Sequence, residues 1–513
     1  MGHHANPAKS WHGKTRRSKN IHSQNPLLGQ DVVNQALEDS TEWDSPFEFK
    51  QELEVEVLKL SSNGDALALA PSPYPPWVIV APFALPGEKI TVRIYRSSRL
   101  HSFADLLNVD TPNPELRDPT RIRCKYFSKC SGCQYQMLSY ESQLDIKQNV
   151  VIKAYQNFSN LPATLIPQAL PTIASPLQYN YRTKITPHFE APSKKAKKAR
   201  VDEGAPDDNA KPGWLNIGFN QIGKRSVMDI ELQFCLTALK ECPIATPVLN
   251  EALGPIRDNI IDNIWTYKRG VSLLLRDSID TSTGNDMDTL SSALEKHVCV
   301  TDHKTTVREH VGDKIFEFPG HSFFQNNNSI LVPLTDYVRD AIFPSSPSLF
   351  PEDRPTHLVD AYCGSGLFSI MLSPHFSTVA GIELSADSIK FATHNALLNN
   401  LPPGKCTFRA GDAANIFSVV QDFPPERTAL IIDPPRKGTD ENFIEQLLAF
   451  RCKTVVYVSC NVHTQARDVG MILERMLKKE GPDGKRYVLE SLRGFDLFPQ
   501  TAHVESVAVL RLV

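Results

Sequence analysis

The stretch HLVDAYCGSGL, residues 357–367, decides the fold of the carboxyl-terminal half of the chain. A short apolar run ends at Asp360, a turn with two glycines follows, and a helix is predicted through Met371. Strand, glycine turn and helix are the parts of a Rossmann-type nucleotide site, where glycines let the ligand approach the backbone. Because the turn has only G-x-G and not the full dinucleotide fingerprint, it does not by itself name the ligand.

Further apolar strands continue this pattern toward the carboxyl terminus, and each ends in polar residues. They end at Glu383, at Gly411-Asp412, at Asp433 and at Ser459-Cys460. Because ligands bind at the carboxyl ends of parallel strands, we expect these residues to meet at one edge of a sheet. Acidic residues without a long phosphate-binding loop favour S-adenosylmethionine over NAD or ATP, since that ligand carries a ribose and an ammonium but no phosphate. Helix capping is the alternative for one or two of the acidic residues.

Two side chains near this edge are candidates for chemistry. Cys460 follows an apolar strand and has polar neighbours, which suits a reactive thiol, although such a cysteine is more often a small buried residue. Glu505 enters the terminal strand, where burial would raise its pKa and suit it to proton transfer; a surface carboxylate is the alternative. Thiol, base and methyl donor together can methylate carbon 5 of a uracil: the thiolate adds to carbon 6, carbon 5 takes the methyl group, and the base removes its proton.

A small β-barrel is predicted ahead of this half. Apolar residues at 53, 55 and 57 alternate with glutamates at 52, 54 and 56, and Ile90, Val92 and Ile94 alternate in the same way. Short strands separated by turns over about 60 residues are typical of an OB-type barrel. The turns Asn63–Leu67 and Leu85–Glu88 resemble those of TRAM domains, and this resemblance implies RNA binding.

Composition excludes several classes of protein. The 513 residues are 41% hydrophobic and 22% charged, which is a globular balance and not that of a disordered chain. The longest apolar run is far shorter than the roughly 20 residues that a membrane helix needs, and no signal-peptide core follows Met1. Ten cysteines are too few for a disulfide scaffold and indicate an intracellular location, with nucleus, cytoplasm and mitochondrion as alternatives. The net charge of −3 means that a nucleic-acid site must come from local basic patches.

The sequence predicts four parts. Residues 1–46 form a disordered basic tail, residues 47–110 the barrel, residues 111–315 a small central domain, and residues 316–513 the Rossmann-type domain. The central domain has a predicted helix at about 140–158 and an insertion at 191–213 that is predicted to be a loop, basic in its first half and acidic in its second. For the tail, a targeting sequence, an RNA-binding arm and a solvated segment are alternatives; for the insertion, a nuclear import signal and a solvated loop.

Taken together, these residues resemble the RNA (uracil-5-)-methyltransferase family over most of the chain from about residue 47. The fold it implies is α/β, a Rossmann-type S-adenosylmethionine-dependent methyltransferase domain with an amino-terminal OB-like (TRAM) β-barrel and a small central domain. The chain departs from the family at Val462, where proline is common, and at Leu367, where asparagine is common. The resemblance rests on residues 124–136, Tyr181-Arg182-x-Lys184, Gly320-x-x-Phe323-Phe324-Gln325-x-Asn327, 360–368, Ile382-Glu383, 433–438, 457–461 and 501–505.

The resemblance also implies roles for particular residues. It makes Cys460 the nucleophile and Glu505 the proton acceptor, and it assigns binding of S-adenosylmethionine to Gln325, Tyr362, Glu383 and Asp433. A related subset of the family binds a four-iron cluster through C-x5-C-x2-C and a later Cys-Pro. The matching residues here, with Cys235 as a further candidate, are Cys124, Cys130, Cys133 and Cys242. Four thiolates suit iron–sulfur or zinc, and a metal-free site is the third alternative.

The implied function is methylation of carbon 5 of uridine in the T loop of tRNA, with neither a membrane nor an obligate protein partner. An rRNA uracil-5 methyltransferase is the nearest alternative. An RNA N-methyltransferase is another, because Asp-Pro-Pro also occurs where exocyclic amines are methylated, but that chemistry needs no thiol. A non-catalytic RNA-binding protein built on the barrel would not need the donor site at all.

Overall fold

The structure, a computed structural model, describes residues 45–202, 211–222, 227–229, 241–281, 295–344, 354–411, 417, 420–478 and 484–513. The predicted tail lies outside the described residues except for its last two, and so do Cys235 and most of the acidic half of the 191–213 insertion. In the part of the chain that the structure describes, no helix combines the length and the apolar character that a membrane span requires.

The predicted amino-terminal barrel is confirmed. Its five strands close in the order β1-β2-β3-β5-β4. The alternation seen in the sequence points Val55, Val57 and Val92 into a core that also buries Trp77, while the glutamates of β1 face outward. The strands are β1 (Glu52–Leu60), β2 (Ala66–Leu69), β3 (Val78–Ala81), β4 (Lys89–Ser98) and β5 (His101–Thr111).

The predicted helix is present as α1 (Tyr140–Phe158), capped by Ser139, whose hydroxyl accepts from the amide of Ser142 at 3.0 Å. Strand β6 (Leu170–Ile173) follows it. The central part then contains two small sheets, ordered β13-β12-β7 and β10-β9-β8-β11. Their strands are β7 (Lys184–Ile185), β8 (His188–Phe189), β9 (Ile217–Asn220), β10 (Val227–Asp229), β11 (Val271–Ser272), β12 (Leu275–Ile279) and β13 (His297–Val300).

The prediction of a loop for the basic half of the insertion is wrong, because residues Lys194–Asp202 form a helix, α2. Lysine, alanine and arginine are strong helix formers, and this intrinsic preference needs no apolar core to act. The hydroxyl of Ser193 accepts from the amide of Ala196 at 3.1 Å and so caps the first turn. The second helix of the central part is α3 (Pro247–Asn263), and a hairpin follows, β14 (Thr306–Val311) and β15 (Lys314–Pro319).

The carboxyl-terminal half is the predicted Rossmann-type domain. Its eight-stranded sheet has the order β18-β17-β16-β19-β20-β22-β21-β6. Strands β16 to β20 run parallel, and β22 is antiparallel to both of its neighbours. The elements are α4 (Leu331–Ile342), β16 (His357–Ala361), α5 (Leu367–Leu372), β17 (Thr378–Glu383), α6 (Ala386–Leu398), β18 (Cys406–Ala410), β19 (Thr428–Ile432), α7 (Glu441–Phe450), β20 (Thr454–Ser459), α8 (Val462–Lys478), β21 (Tyr487–Phe495) and β22 (Glu505–Leu512).

Helices cover both faces of this sheet, which is why the central strands are apolar throughout. Strands β19 and β20 are buried at every residue, as expected for parallel strands packed on two sides. On one face the core includes residues of α1, α7 and α8, and on the other face residues of α4 and α5.

Helix α1 and strand β6 belong to this sheet by their contacts, although the sequence assigned them to the central domain. Strand β6 pairs with β21 at the end of the sheet. Helix α1 packs so closely on α8 that a Cβ atom at Gly470 would lie 1.8 Å from the carbonyl oxygen of Ser159. The fully buried Lys147 of α1 forms an ion pair with the fully buried Asp496, directly after β21. The methyltransferase half is therefore completed by residues 140–173.

Candidate active site

Three of the four predicted donor-binding residues lie at the carboxyl ends of three adjacent strands. Glu383 is the last residue of β17, and its carboxylate accepts from the amides of Gly364 at 3.3 Å and Ser385 at 3.0 Å. Tyr362, directly after β16, has a positive φ of 65° and donates its amide to the carbonyl oxygen of Ile382 at 2.8 Å. Asp433 directly follows β19. The parallel sheet thus brings Tyr362, Glu383 and Asp433 to one edge.

Two carboxyl groups, those of the fully buried Asp360 and the half-buried Asp433, give this edge its electrostatic character. Burial, aided by the charge of Asp360, raises the pKa of Asp433 to about 7. Burial also raises the pKa of Asp360 to about 7, although Ser369 donates to it through both amide and hydroxyl. A cationic ligand next to these groups would stabilise their ionised forms and bind more tightly as a result.

Cys460 and Glu505 face each other across two paired strands. Ser459 of β20 is paired with Ser506 of β22, so Cys460 and Glu505 are the next opposed positions along this antiparallel pair. Both line a cavity of about 620 Å³, which Gln325 also lines. The sheet register therefore brings the candidate nucleophile and the candidate base together, and the segment between β15 and α4 adds Gln325 to the same cavity.

Burial raises the pKa values of both Glu505 and Cys460. Glu505 is 3% exposed, and its Oε2 has no hydrogen-bond partner among the described residues. Burial, and then the charge of Asp433, raise the pKa of Glu505 to about 8. The pKa of Cys460 is raised to about 11 by burial and by the two carboxylates, while a hydrogen bond from Arg436 and its charge act in the opposite direction. The carboxyl group is thus suited to exchange a proton near neutral pH.

The segment that leads into Glu505, residues 496–504, is held by α1 and the central part. The side-chain Nε2 of Gln143 donates to Oε1 of Gln500 at 3.1 Å, and Oε1 of Gln143 accepts from the backbone amide of Gln500 at 2.9 Å. The hydroxyl of Tyr181 donates to the carbonyl oxygen of Pro499 at 2.9 Å. The ammonium of Lys147 donates to the carbonyl oxygen of Phe498 at 3.1 Å. These bonds fix the backbone that positions the candidate base.

The barrel also reaches the cavity. Ser62 and Asn63, in the turn between β1 and β2, line it. Gly64 in the same turn has a φ of +83°, and a Cβ atom there would lie 2.8 Å from the Cβ atom of Ala502. Only glycine combines this backbone conformation with such a close approach. The barrel is therefore in direct contact with the segment that carries Glu505.

The four predicted metal-binding cysteines line a second cavity of about 280 Å³, which shares Gly132 and Arg182 with the first. Burial raises the pKa of all four thiols, and for Cys130, Cys133 and Cys242 the charges of neighbouring cysteines in the group add to it. In the described ranges, however, no three His, Cys, Asp or Glu residues form a group that could hold a metal ion as they stand. The donor set thus suits a shared centre, but its arrangement is not that of a closed metal site.

Several residues with a place in the cavity had no role assigned from the sequence. Arg436 lies beside Cys460, and burial together with nearby cations lowers the pKa of His503 to about 4, so that its ring is neutral. Phe323 lines the same cavity with a side chain that is 74% exposed. All three lie within stretches that carry the family resemblance. The family resemblance of these stretches could have drawn attention to the three residues. It does not show which of their side chains faces the cavity.

Comparison with known proteins agrees with this architecture. The sequence profile described as tRNA (Uracil-5-)-methyltransferase matches residues 244–406. The tRNA (uracil(54)-C(5))-methyltransferase of Schizosaccharomyces pombe is 45% identical over 91% of this chain and 80% of its own length. The enzyme of the same name from Saccharomyces cerevisiae is 37% identical, over 96% of this chain and 79% of its own.

Among solved structures, the Pyrococcus abyssi tRNA (uracil-54, C5)-methyltransferase in complex with S-adenosyl-L-homocysteine superimposes with a TM-score of 0.56 and 21% identity. The match covers 89% of this chain and 99% of that one, and it supports the fold. Fold and site define the class as a Rossmann-type methyltransferase. Because its sequence is 45% and 37% identical to those of its two fungal relatives, the chain belongs to the tRNA (uracil-5-)-methyltransferase family.

Proposed function

We propose that this protein transfers a methyl group from S-adenosylmethionine to carbon 5 of uridine 54 in the T loop of tRNA. The observation that carries the proposal is the opposition of Cys460 and Glu505 in one cavity, beside the strand ends that hold the predicted donor residues. The names of the fungal relatives favour tRNA over rRNA as the substrate. The cavity with a thiol and a buried base favours carbon methylation over N-methylation, which needs neither.

In this reaction Cys460 forms a bond from its sulfur to carbon 6 of the uracil, which makes carbon 5 nucleophilic. S-adenosylmethionine, when bound, supplies the methyl group that carbon 5 takes up. Glu505 then accepts the proton from carbon 5, the bond between sulfur and carbon 6 breaks, and the thiolate is released. Arg436 offsets part of the rise in the pKa of the thiol and so favours the attacking thiolate.

The surroundings of Glu505 fit this order of steps. Glu505 is buried without a described hydrogen-bond partner at Oε2, so one oxygen is available to accept a proton from a bound substrate. With a pKa of about 8, about a tenth of Glu505 is ionised at pH 7, and this ionised fraction is the form that accepts the proton from carbon 5. The barrel turn at Asn63 lies at the same cavity, which gives RNA a second contact next to the reacting base.

The decisive experiment incubates purified protein with unmodified tRNA and donor labelled in its methyl group, and then maps the label. We expect one labelled 5-methyluridine at position 54, and none with the Cys460→Ala variant. Label on an exocyclic amine, or label that persists in Cys460→Ala, would contradict carbon methylation through a covalent adduct. Label in rRNA but not in tRNA would overturn the choice of substrate.

We also propose that Cys124, Cys130, Cys133 and Cys242 hold a four-iron cluster, which their position around one cavity supports. When bound, such a cluster would join the segment at 124–133 to Cys242 of the central part. Protein purified without oxygen should be brown and contain iron and sulfide. Zinc without sulfide would replace the cluster by a zinc site, and fully active protein free of both metals would refute the proposal.

A further inference from the structure

The basic half of the insertion is anchored to the central part by two of its own cations. The ammonium of Lys197 donates to the carbonyl oxygen of Tyr267, 70 residues away in the chain, at 3.1 Å. The guanidinium of Arg200 lies 4.5 Å from the centre of the Trp265 ring. Trp265 in turn contacts Trp214 edge to face, with ring centres 5.8 Å apart. Helix α2 is therefore fixed against the turn at 264–270.

This packing leaves a set of cations on the open side. Lys194 and Lys198 lie one helical turn apart, Lys195 lies next to them, and all three are exposed. The turn adds the exposed Lys268 and Arg269. Within the described residues, none of these five side chains has an ion pair or hydrogen bond. We call the group the lysine surface; its members are Lys194, Lys195, Lys198, Lys268 and Arg269.

The lysine surface lies within reach of an RNA that occupies the active site. Arg182 lines the catalytic cavity. Phe189, seven residues after Arg182 in the chain, packs against Tyr267 of the anchoring turn, with ring centres 4.9 Å apart. Seven residues of extended chain span at most about 25 Å, which is shorter than one turn of a nucleic-acid duplex, about 34 Å. Phosphates beyond the reacting loop can therefore lie over this surface.

We propose that the lysine surface binds backbone phosphates of the substrate tRNA outside its T arm. The inference rests on the proposed function for the identity of the RNA. Charge complementarity supports the proposal. The chain as a whole has a net charge of −3, but the lysine surface gathers five exposed cations from two segments that are distant in the sequence. Phosphate contacts of this kind give affinity and orientation without reading sequence.

The test compares two substrates, full-length tRNA and an isolated hairpin that has only the T arm. The variant is Lys195→Gln/Lys198→Gln, which leaves the anchors Lys197 and Arg200 in place. We omit Arg269 because Glu190 lies next to Gly270 and could neutralise it. The control is Lys390→Gln/Lys478→Gln, which removes two exposed lysines that are paired with carboxylates on the methyltransferase half. Thermal unfolding of both variants checks that they remain folded.

We expect the dissociation constant and KM of the lysine-surface variant for full-length tRNA to rise roughly tenfold or more at 0.1 M salt. The slope of log affinity against log salt should fall by about 2, since each lost phosphate contact removes about 0.9. Binding and methylation of the T-arm hairpin should not change, and the control should behave as the wild type with both substrates.

Unchanged binding of full-length tRNA would overturn the inference and leave the import signal as the better explanation of the basic helix. An equal loss with both substrates would also overturn it, because the effect would then lie at the T arm. Binding is measured separately from methylation. A wild-type protein that binds tRNA through this surface but does not methylate it would therefore refute the proposed function and not the surface.

Discussion

Replacement of Glu505 by glutamine tests both the burial of this carboxyl group and its role as the base. In an unfolded chain the group titrates near its ordinary pKa of 4.5, whereas burial in the folded protein raises the pKa to about 8. At pH 7, folding must therefore protonate a carboxylate that is ionised in the unfolded chain, at a cost of about 3 kcal/mol. The amide is neutral in both states and avoids this cost, so Glu505→Gln should be more stable at pH 7 by up to that amount.

The pH dependence has a definite sign. Because the pKa is raised in the folded state, the stability that depends on neutral Glu505 is fully present below pH 4.5 and is lost as the pH rises toward 8. The advantage of Glu505→Gln should thus be near zero at pH 4.5, increase by about 1.4 kcal/mol per pH unit, and level off above pH 8. Melting temperatures of both proteins from pH 5 to pH 9 measure it. A constant difference across this range would show that Glu505 is not buried as the structure has it.

The same variant separates the two halves of the reaction. Methyl transfer precedes removal of the proton from carbon 5, and glutamine keeps the shape of the side chain but cannot accept that proton. A covalent complex of protein and RNA should therefore accumulate with the donor methyl group already attached, and it should persist through denaturing electrophoresis. Adding Cys460→Ala should abolish it. Normal turnover by Glu505→Gln would exclude Glu505 as the base, and an adduct without methyl label would place its role before methyl transfer.

Four further substitutions test the nucleophile, the donor site and a buried ion pair. Cys460→Ala should abolish methylation while the melting temperature and donor affinity stay near those of the wild type; residual turnover above background would contradict the covalent mechanism. Asp433→Ala or Glu383→Ala should weaken S-adenosylmethionine binding by roughly 10- to 150-fold, the loss of one charge-assisted hydrogen bond, and unchanged affinity by calorimetry would show that the donor site is misplaced. Lys147→Met should destabilise the protein by about 3–5 kcal/mol, because it leaves Asp496 buried without its partner; a melting temperature equal to that of the wild type would show that Asp496 gains access to water.

The strand ends could be predicted from the sequence because each central strand is an apolar run that stops at a polar residue. Strands β19 and β20 are buried throughout, so their pattern reflects burial on both faces. Strand β6 is different: Leu170–Ile173 contains a proline and has no alternation of apolar and polar residues. Its place beside β21 is set by tertiary pairing, and so the sequence alone assigned it to the wrong side of a domain boundary.

Helix α2 shows the opposite case, where local propensity prevailed over an argument from composition. A segment of lysines without apolar residues was predicted to be a loop because it has nothing to bury. It forms a helix because lysine, alanine and arginine favour that conformation, and because Lys197 and Arg200 find partners in the turn at 264–270. Those partners lie far away in the sequence, where no local pattern reveals them.

In the candidate site too, local sequence patterns predict some residues, whereas others are placed by contacts that are distant in the sequence. Cys460 and Glu505 could be found because each lies next to a strong strand pattern, and the register of β20 with β22 then places them opposite each other. The places of Arg436 and His503 in the cavity could not be predicted, since both lie on loops whose directions are set by contacts with other parts of the chain.

The loop at 496–504 connects the three parts of this chain. The segment at 496–504 bonds to α1 through Gln143 and to the central part through Tyr181, and the barrel contacts it where Gly64 meets Ala502. Glu505 therefore has its position only when all three are assembled around β22. RNA that contacts the barrel turn and the cavity together must accommodate this same segment. The barrel turn proposed to contact RNA and the residue proposed as the base are thus coupled through one segment, although they lie more than 400 residues apart in the sequence.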